Sequence, residues 1–544
     1  MALIPERAPH TSVHQVLDAA ALEHPDRTYL LHADPTRDGA RRVGIREVSF
    51  GTMARESRAL AGAMAHLGIE AGDRVALVLP GRPEFVTALF ALARLGAVAV
   101  PLNPRISPGE LRYMLRHSEA TALVTVERFQ GEDYLQLFEE MLPVLPDLQY
   151  LFTVGDEDLW YDDRIYQFED LVSAGEGRPV PEGTGAGDGD ELLAILYTSG
   201  TTGKPKGVEV THRNLLHSAA AVAEGLDLRT SDRIFGVTAL FHVFGLGPGI
   251  LATLLARASL VLQDEFEPEE ALDLVERLGV TIHYGVPTLF AQELDALRMR
   301  SRDLSSLRLG MVAGAPMPEP LFDRVESEMG LELLSAYSLT ETSSVLAMTR
   351  SGDSPEKRKF TVGRPVSGVE LRVVEEGRRL PPESLGEIAA RGDLVMRGYY
   401  RQPRETARVL GEDGFLLTGD LGILDEEGHV HLVGRRKGVI IRGGYNVYPR
   451  EVEDRLHAHP AVHEAAVVGI RDEWLGEAIG AVIVPVEGAI ITESELRDWC
   501  ADVLADYKLP DRVTFEGALP MTPTGKVRRV DLERLFEAPD PDED

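Results

Sequence analysis

Residues 197–208, Tyr-Thr-Ser-Gly-Thr-Thr-Gly-Lys-Pro-Lys-Gly-Val, constrain this chain more than any other stretch. An apolar run follows Glu191, Leu-Leu-Ala-Ile-Leu, and suits a buried strand ending at the stretch. Beyond it, Thr211-His-Arg-Asn-Leu-Leu reads as the capped start of a helix. Glycines let a backbone wrap tightly round a ligand and turn several N–H groups into one concavity. Hydroxyls and a lysine beside such a concavity describe a polyphosphate cradle. The spacing is not that of a Walker A loop: Gly200 and Lys204 are too close, and Pro205 stands where Ser or Thr would meet magnesium. A flexible connector has the same glycines and hydroxyls. The two lysines favour phosphate, because only 7 of the 56 basic residues are lysine.

Strands and helices alternate around this stretch. The pattern predicts a helix over 13–22, an Arg/Gly/Asp-rich turn over 34–42, and an amphipathic helix over 49–67 carrying Met53, Leu60, Met64 and Leu67. A strand at 72–80, a helix at 83–95, a strand at 97–101 and a helix at 107–117 from a Ser-Pro cap follow. Such alternation implies an α/β fold of parallel sheets with helices on both faces. Residues 127–190 are less regular, and 175–190 have a linker's Gly, Pro, Glu and Asp content. The acidic tail 540–544 reads as disordered.

At 544 residues the chain is long enough for two or three domains. Its formal charge of −32 argues against nucleic acid, whose phosphates require a basic face. Cys500 is the single cysteine, which excludes disulfides within the chain and points to a reducing cytoplasm. The spacing around Cys500 suits ordinary packing on a helix face. Residues 1–14 lack a basic start followed by an apolar run, and no run reaches the eighteen or so residues that span a bilayer. A soluble monomer or homodimer is expected, touching membranes at most peripherally.

On residues 197–208 the chain resembles the adenylate-forming superfamily, which includes acyl-CoA synthetases, luciferases and peptide-synthetase adenylation domains. The resemblance extends over nearly the whole sequence. Ser335-Ala-Tyr-Ser-Leu-Thr-Glu-Thr is similar to the family's Gly-Tyr-Gly-x-Thr-Glu block, with Ala336 and Ser338 replacing glycine. The resemblance implies that Tyr337 lies by adenine with Ala336, that Thr340 touches the α-phosphate, and that Glu341 holds magnesium with Thr198. A hard cation of this kind prefers such oxygens. It further implies that Thr198, Ser199, Gly200, Thr201, Thr202, Gly203 and Lys206 hold the β- and γ-phosphates. Gly314, Ala315 and Pro316, small residues after an apolar strand, match the adenine contact, though a simple strand-end turn has the same composition. Asp420 in Leu-Leu-Thr-Gly-Asp, read as strand then turn, matches the ribose aspartate, and Arg435 a second ribose or phosphate contact.

His242, in Ala239-Leu-Phe-His-Val-Phe-Gly-Leu, is the kind of lone histidine that usually packs in a core; by resemblance it belongs to an aromatic gate at the acyl pocket. Phe244, Leu246, Val286, Ser338, Leu339 and Val345 complete the candidate pocket, Ser338 making its mouth narrower or more polar. Lys437 matches the hinge residue, with Gly438 where an acidic residue is common. The family's domains would then be 1–434, a large multi-sheet α/β domain, a hinge at 435–438, and a small mobile α+β lid over the cleft at 439–544. In the lid, Gly443 and Gly444 match the tunnel for the pantetheine arm of CoA. Lys526, in Leu519-Pro-Met-Thr-Pro-Thr-Gly-Lys, matches the catalytic lysine. Four of the seven lysines, Lys204, Lys206, Lys437 and Lys526, fall within these motifs, where a compact ammonium cannot be replaced by a planar guanidinium.

The implied reaction joins a carboxylic acid to ATP with magnesium, giving acyl-AMP and pyrophosphate, and then to CoA. The stretch 442–453, Arg-Gly-Gly-Tyr-Asn-Val-Tyr-Pro-Arg-Glu-Val-Glu, most resembles bacterial fatty acyl-CoA synthetases. An aryl-acid CoA ligase and an acyl-AMP ligase loading a separate carrier protein are the alternatives. A non-enzymatic nucleotide binder is disfavoured by the intact Lys526, Glu341, Asp420 and Arg435.

Overall fold

Continuous apolar runs bounded by Gly, Pro and capping residues build two large sheets, and these position everything else. The computed structural model describes residues 11–34, 44–157, 159, 162–180, 189–198, 205–236, 239–472, 474–522 and 527–536. The turn predicted at 34–42 lies outside these residues beyond Asp34, as do 181–188 of the linker and the acidic tail.

Among the described residues an eight-stranded sheet runs, edge to edge, through Gly398–Tyr399, Lys206–Thr211, Leu192–Thr198, Val98–Pro101, Arg74–Val78, Ala122–Val126, Tyr150–Val154 and Ile165–Gln167. From Leu192–Thr198 onward its neighbours are parallel. Ala76–Val78, Leu193–Ile195 and Ala122–Val124 are fully buried, as strands covered on both faces must be. A nine-stranded sheet has a parallel centre from Glu332–Leu339 through Leu309–Val312, Ile282–Gly285, Arg233–Phe235 and Ser259–Gln263 to Thr28–Asp34. The helix Pro83–Leu95 is buried on every side. Its two charges are paired, Glu84 with Arg46 and Arg94 with Asp18, which buried charges require.

Helices at Val13–Glu23, Phe50–His66, Pro83–Leu95 and Pro108–Ser118 lie where periodicity and caps predict them. Three stretches differ. Residues 127–190 are more regular than expected, with helices Tyr134–Met141 and Phe168–Gly175 and two strands that extend the eight-stranded sheet. Lys206–Thr211 forms a strand antiparallel to Leu192–Thr198 before the helix His212–Gly225 begins. Leu416–Leu424 is one strand passing through Gly419, whose φ of 75° allows the local kink without a break.

A five-stranded sheet holds Glu370–Glu375, Gly386–Arg391, Leu416–Leu424 and Val430–Arg435, with Arg378–Arg379 at its edge. Another begins at Ile440–Arg442 and contains Tyr445–Val447, Gly476–Pro485, Val462–Asp472 and Arg512–Phe515. Its two faces bury separate apolar clusters, one around Val452, Ile479, Leu496 and Cys500, the other around Val482, Leu532 and Phe536. The fold is thus a large multi-sheet α/β assembly followed by a small α+β unit. Arg450 Nη1 donates to Leu432 O at 2.8 Å across the junction. Among the described residues, no helix is long and apolar enough to cross a membrane, and no group of three or more His, Cys, Asp or Glu could hold a metal.

Candidate active site

The strands Leu192–Thr198 and Lys206–Thr211 form the two stems of a hairpin whose register pairs Thr198 with Lys206 and Tyr197 with Gly207. One helix, Pro108–Ser118, braces both stems. The Tyr197 hydroxyl lies 2.7 Å from His117 Nδ1 and 3.3 Å from Met114 O, while Tyr113 donates to Pro205 O at 3.4 Å. Burial raises the Tyr197 phenol above its usual range, so it stays a neutral hydroxyl. Gly207 is required by packing, since a Cβ there would lie 2.7 Å from Ile195 Cγ2. Thr198 is half-buried at the tip of its stem. Of the expected phosphate residues, Ser199, Gly200, Thr201, Thr202 and Gly203 lie outside the described residues, as does Lys204.

Lys206 joins three groups from distant parts of the chain. Its ammonium lies 2.7 Å from Glu405 Oε2 and 4.8 Å from the centre of the Tyr399 ring. The Tyr399 hydroxyl donates to Glu341 Oε1 at 2.9 Å. Burial, and then the Glu341 charge, raise the Tyr399 phenol, which keeps its proton on oxygen for that bond. Backbone bonds hold the assembly together: Met396 N to Glu341 O at 2.9 Å, Arg397 N to Glu209 O at 3.0 Å and Tyr400 N to Gly207 O at 2.7 Å. The expected phosphate lysine and the expected magnesium ligand are thus linked through one tyrosine. Glu341 is half-buried, and its carboxylate oxygens are the donor type a hard divalent cation takes.

Glu341 follows the strand Glu332–Leu339, which also carries Ala336 and Tyr337. The Tyr337 hydroxyl donates to Asp420 Oδ2 at 2.5 Å, and Arg435 Nε forms an ion pair with Asp420 Oδ1 at 3.0 Å. The antiparallel register places Asp420 directly opposite Arg435. Burial, then the Asp420 charge, raise the Tyr337 phenol well above its ordinary value. Asp420 is buried and Arg435 exposed, so the carboxylate is fixed while the guanidinium keeps a face to solvent. Leu309–Val312 runs parallel beside this strand with Val312 opposite Ser335. Residues 314–316 therefore leave their strand next to Ala336 and Tyr337. Gly314 has φ of 87°, a conformation favouring glycine. Thr340 is 9% exposed in the short turn Thr340–Thr342.

The acyl-pocket candidates divide. Val286, Ser338, Leu339, His242 and Phe244 are half-buried, whereas Leu246 and Val345 are fully buried within the main core. His242 opens the tight turn into the π-helical segment Gly245–Leu251: its O accepts from Gly245 N, and its Nδ1 from Phe244 N. Phe244 meets Tyr284 edge-on at 5.6 Å. Ser338 Oγ lies 3.4 Å from Ser344 Oγ, and a Cβ on Gly247 would lie 3.5 Å from Ser344 Cβ. A second hydroxyl, which sequence reasoning passed over, thus stands beside Ser338.

Lys437 is exposed in the turn Arg436–Gly438, where Arg436 pairs with Glu387 at 2.9 Å. Gly443 and Gly444, at φ of 58° and 88°, form the two-residue turn between Ile440–Arg442 and Tyr445–Val447. A hairpin turn with positive φ at both central residues accounts for the glycine pair structurally. Lys526 lies outside the described residues. Glu405 and Tyr399 carried no sequence signal, since each sits in a polar or aromatic stretch without a phosphate-binding pattern.

The description "AMP-binding enzyme" matches residues 17–400, and "AMP-binding enzyme C-terminal domain" matches residues 451–526. YngI of Bacillus subtilis (strain 168), which carries the provisional name acyl-CoA synthetase, is 34% identical over 97% of this chain and 98% of its own length. Feruloyl-CoA synthase of an Amycolatopsis species is 35% identical over 91% of this chain and 95% of its own. The crystal structure of the anthranilate CoA ligase AuaEII with anthranoyl-AMP superposes with a TM-score of 0.86 at 28% identity, covering 98% of each chain.

Proposed function

This chain belongs to the AMP-binding enzymes, and from that premise we propose which acid it activates and which residues carry the reaction. It is an AMP-forming acid–thiol ligase that uses ATP, magnesium and CoA. A carboxylate oxygen attacks the α-phosphorus of ATP, forming the acyl–phosphate bond as the bond to pyrophosphate breaks. The CoA sulfur then attacks the acyl carbon, and AMP departs with the carboxylate's former oxygen. Both steps need alignment and charge neutralisation rather than a protein nucleophile.

The observation that carries the assignment of roles is the continuous chain from Lys206 through Tyr399 to Glu341, and along one strand to Tyr337, Asp420 and Arg435. Asp420 accepts the ribose hydroxyls, with Tyr337 and Arg435 fixing its two oxygens. Residues 314–316 and Ala336 line the adenine. Lys206, with Thr198 and the loop 199–203, holds the β- and γ-phosphates. Glu341 and Thr198 hold magnesium, which when bound neutralises triphosphate charge; Thr340 meets the α-phosphate. Lys526 bridges the carboxylate and the α-phosphate. The chain from 439 onward then turns about Lys437, bringing Gly443 and Gly444 beside the pantetheine arm. The division at 435–438 is supported by the separate cores of the last unit and the short turn Arg436–Gly438.

The acid we assign is a fatty acid of medium length. Phe244 and Val286 give an apolar lining, and Ser338 narrows its mouth. The Ser338 hydroxyl also supports a second reading, an aryl acid, in keeping with the feruloyl and anthranilate ligases among its relatives. We assign the enzyme to the cytoplasm as a monomer or homodimer, its single thiol being buried at Cys500.

The test measures acid-dependent pyrophosphate over a panel of C2–C18 and aryl acids, with and without CoA. A C6–C12 optimum that multiplies on adding CoA is expected. An aryl optimum selects the second reading, and a single-turnover burst indifferent to CoA would transfer the acyl group to a carrier protein.

A further inference from the structure

The ammonium assigned to the β- and γ-phosphates already has an anionic partner from within the chain. Glu405 lies in the first turn of the helix Pro403–Val409, and its Oε2 is 2.7 Å from Lys206 Nζ. The side chains are only 19% and 27% exposed, and the Tyr399 ring lies 4.8 Å from the same ammonium. A lysine ammonium has three donors on a flexible stem. Even so, a carboxylate and a polyphosphate cannot both crowd one ammonium without repelling each other.

Glu405 has other cations to turn to. It pairs with Arg408 one turn along its helix. Its carboxyl is held below the usual range by the hydrogen bond from Lys206 and further by Arg408 and by Lys437 of the turn Arg436–Gly438. A displaced carboxylate thus keeps positive charge within reach, on the same helix and at the junction with the last unit.

We propose that Glu405 is an internal competitor for the phosphate site. It pairs with Lys206 between turnovers, yields it to the β- and γ-phosphates when ATP binds, and reclaims it as pyrophosphate departs. Glu405 is a positioning residue, acting through Lys206 without touching the reacting atoms. This inference rests on the assignment of Lys206 to the β- and γ-phosphates. It predicts that the chain holds ATP less tightly than its cations allow and releases pyrophosphate faster.

Calorimetric dissociation constants for ATP, pyrophosphate and AMP, measured on the full chain, test it. Glu405→Gln is expected to tighten ATP and pyrophosphate by about three- to fivefold, the range of a partly exposed ion pair, and to leave AMP unchanged. Pyrophosphate release in stopped flow slows by a similar factor. Glu405→Asp, which keeps the charge but shortens its reach, gives an intermediate tightening and guards against a folding defect in the glutamine variant. Lys206→Ala weakens ATP and pyrophosphate, and adding Glu405→Gln to it changes neither further. If Glu405→Gln leaves ATP and pyrophosphate affinity unchanged or weaker while Lys206→Ala weakens both, the competitor role is overturned and the role of Lys206 stands. If Lys206→Ala leaves ATP affinity intact, the assignment of Lys206 fails and the competitor role fails with it.

Discussion

Removing the hydroxyl of Tyr337 isolates the part of the site proposed to recognise the nucleoside. In the parent chain that hydroxyl donates to Asp420 Oδ2 at 2.5 Å while Arg435 holds Oδ1 at 3.0 Å. Both partners are buried, Tyr337 at 5% and Asp420 at 6% exposure, so solvent does not readily replace the lost donor. A hydrogen bond to a charged group contributes about 1.5–3 kcal/mol. In Tyr337→Phe the Asp420 carboxylate is held by Arg435 alone and must be fixed anew when the ribose binds, which costs about half of that. That cost, about 0.8–1.5 kcal/mol, corresponds to roughly four- to twelvefold weaker nucleotide binding. Calorimetry with AMP and ATP should give the same factor for both, because the ribose is common to them and the β- and γ-phosphates are not involved. Refutation would be AMP binding within about twofold of the parent, or a loss confined to ATP. Either result would mean that Asp420 is oriented without Tyr337 or does not meet the ribose.

Other expectations concern stability and reactivity. His212 is 1% exposed, accepts from Val13 N at 3.2 Å, and has its pKa pushed down to about 3 by burial and then by His14. Its unfolded value is about 6.5, so the unfolded chain takes the proton first and stability is lost as pH falls below that value. The loss at pH 5 is about 2 kcal/mol, which denaturant titrations at pH 7 and pH 5 should detect and His212→Gln should reduce. Cys500 is fully buried, with its thiol pushed up to about 11 by burial, so Ellman's reagent should label it only after unfolding. Rapid labelling of the folded chain would contradict the packing of the helix Glu493–Ala501. Gly363 has φ of 75°, and a Cβ there would fall 1.9 Å from Met348 C. Gly363→Ala should therefore cost more than about 3 kcal/mol and lower the thermal midpoint sharply.

Much of this architecture was legible in the residues because local and global preferences agree. Pro83–Leu95 has proline at its start and Gly96 in the left-handed conformation at its end, and its predicted limits match the structure. The strand at 206–211 was hidden because Lys206 and Glu209 interrupt its apolar run, although its partner Leu192–Thr198 is legible from its own. Residues 127–190 look irregular for a similar reason: helices of eight residues give too few turns for a clear period. Asp420, Arg435, Tyr337 and Glu341 were found through motifs, yet the hydrogen bonds that connect them were not. Tyr399 and Glu405 reach the site from 58 and 199 residues away from their partners, Glu341 and Lys206. No local spacing encodes such contacts. Ser344, the hydroxyl beside Ser338, escaped notice because its position depends on the turn Thr340–Thr342 doubling back on Leu339.

The most direct test of the adenylate route follows oxygen. The preferred acid, labelled with oxygen-18 in both carboxylate positions, is incubated with the enzyme, ATP, magnesium and CoA, and the products are weighed by mass spectrometry. Attack of the carboxylate on the α-phosphorus predicts AMP carrying one labelled oxygen, unlabelled pyrophosphate, and a CoA thioester retaining the other. Labelled inorganic phosphate with ADP, or AMP free of label, would contradict an acyl-adenylate intermediate and the account built on it.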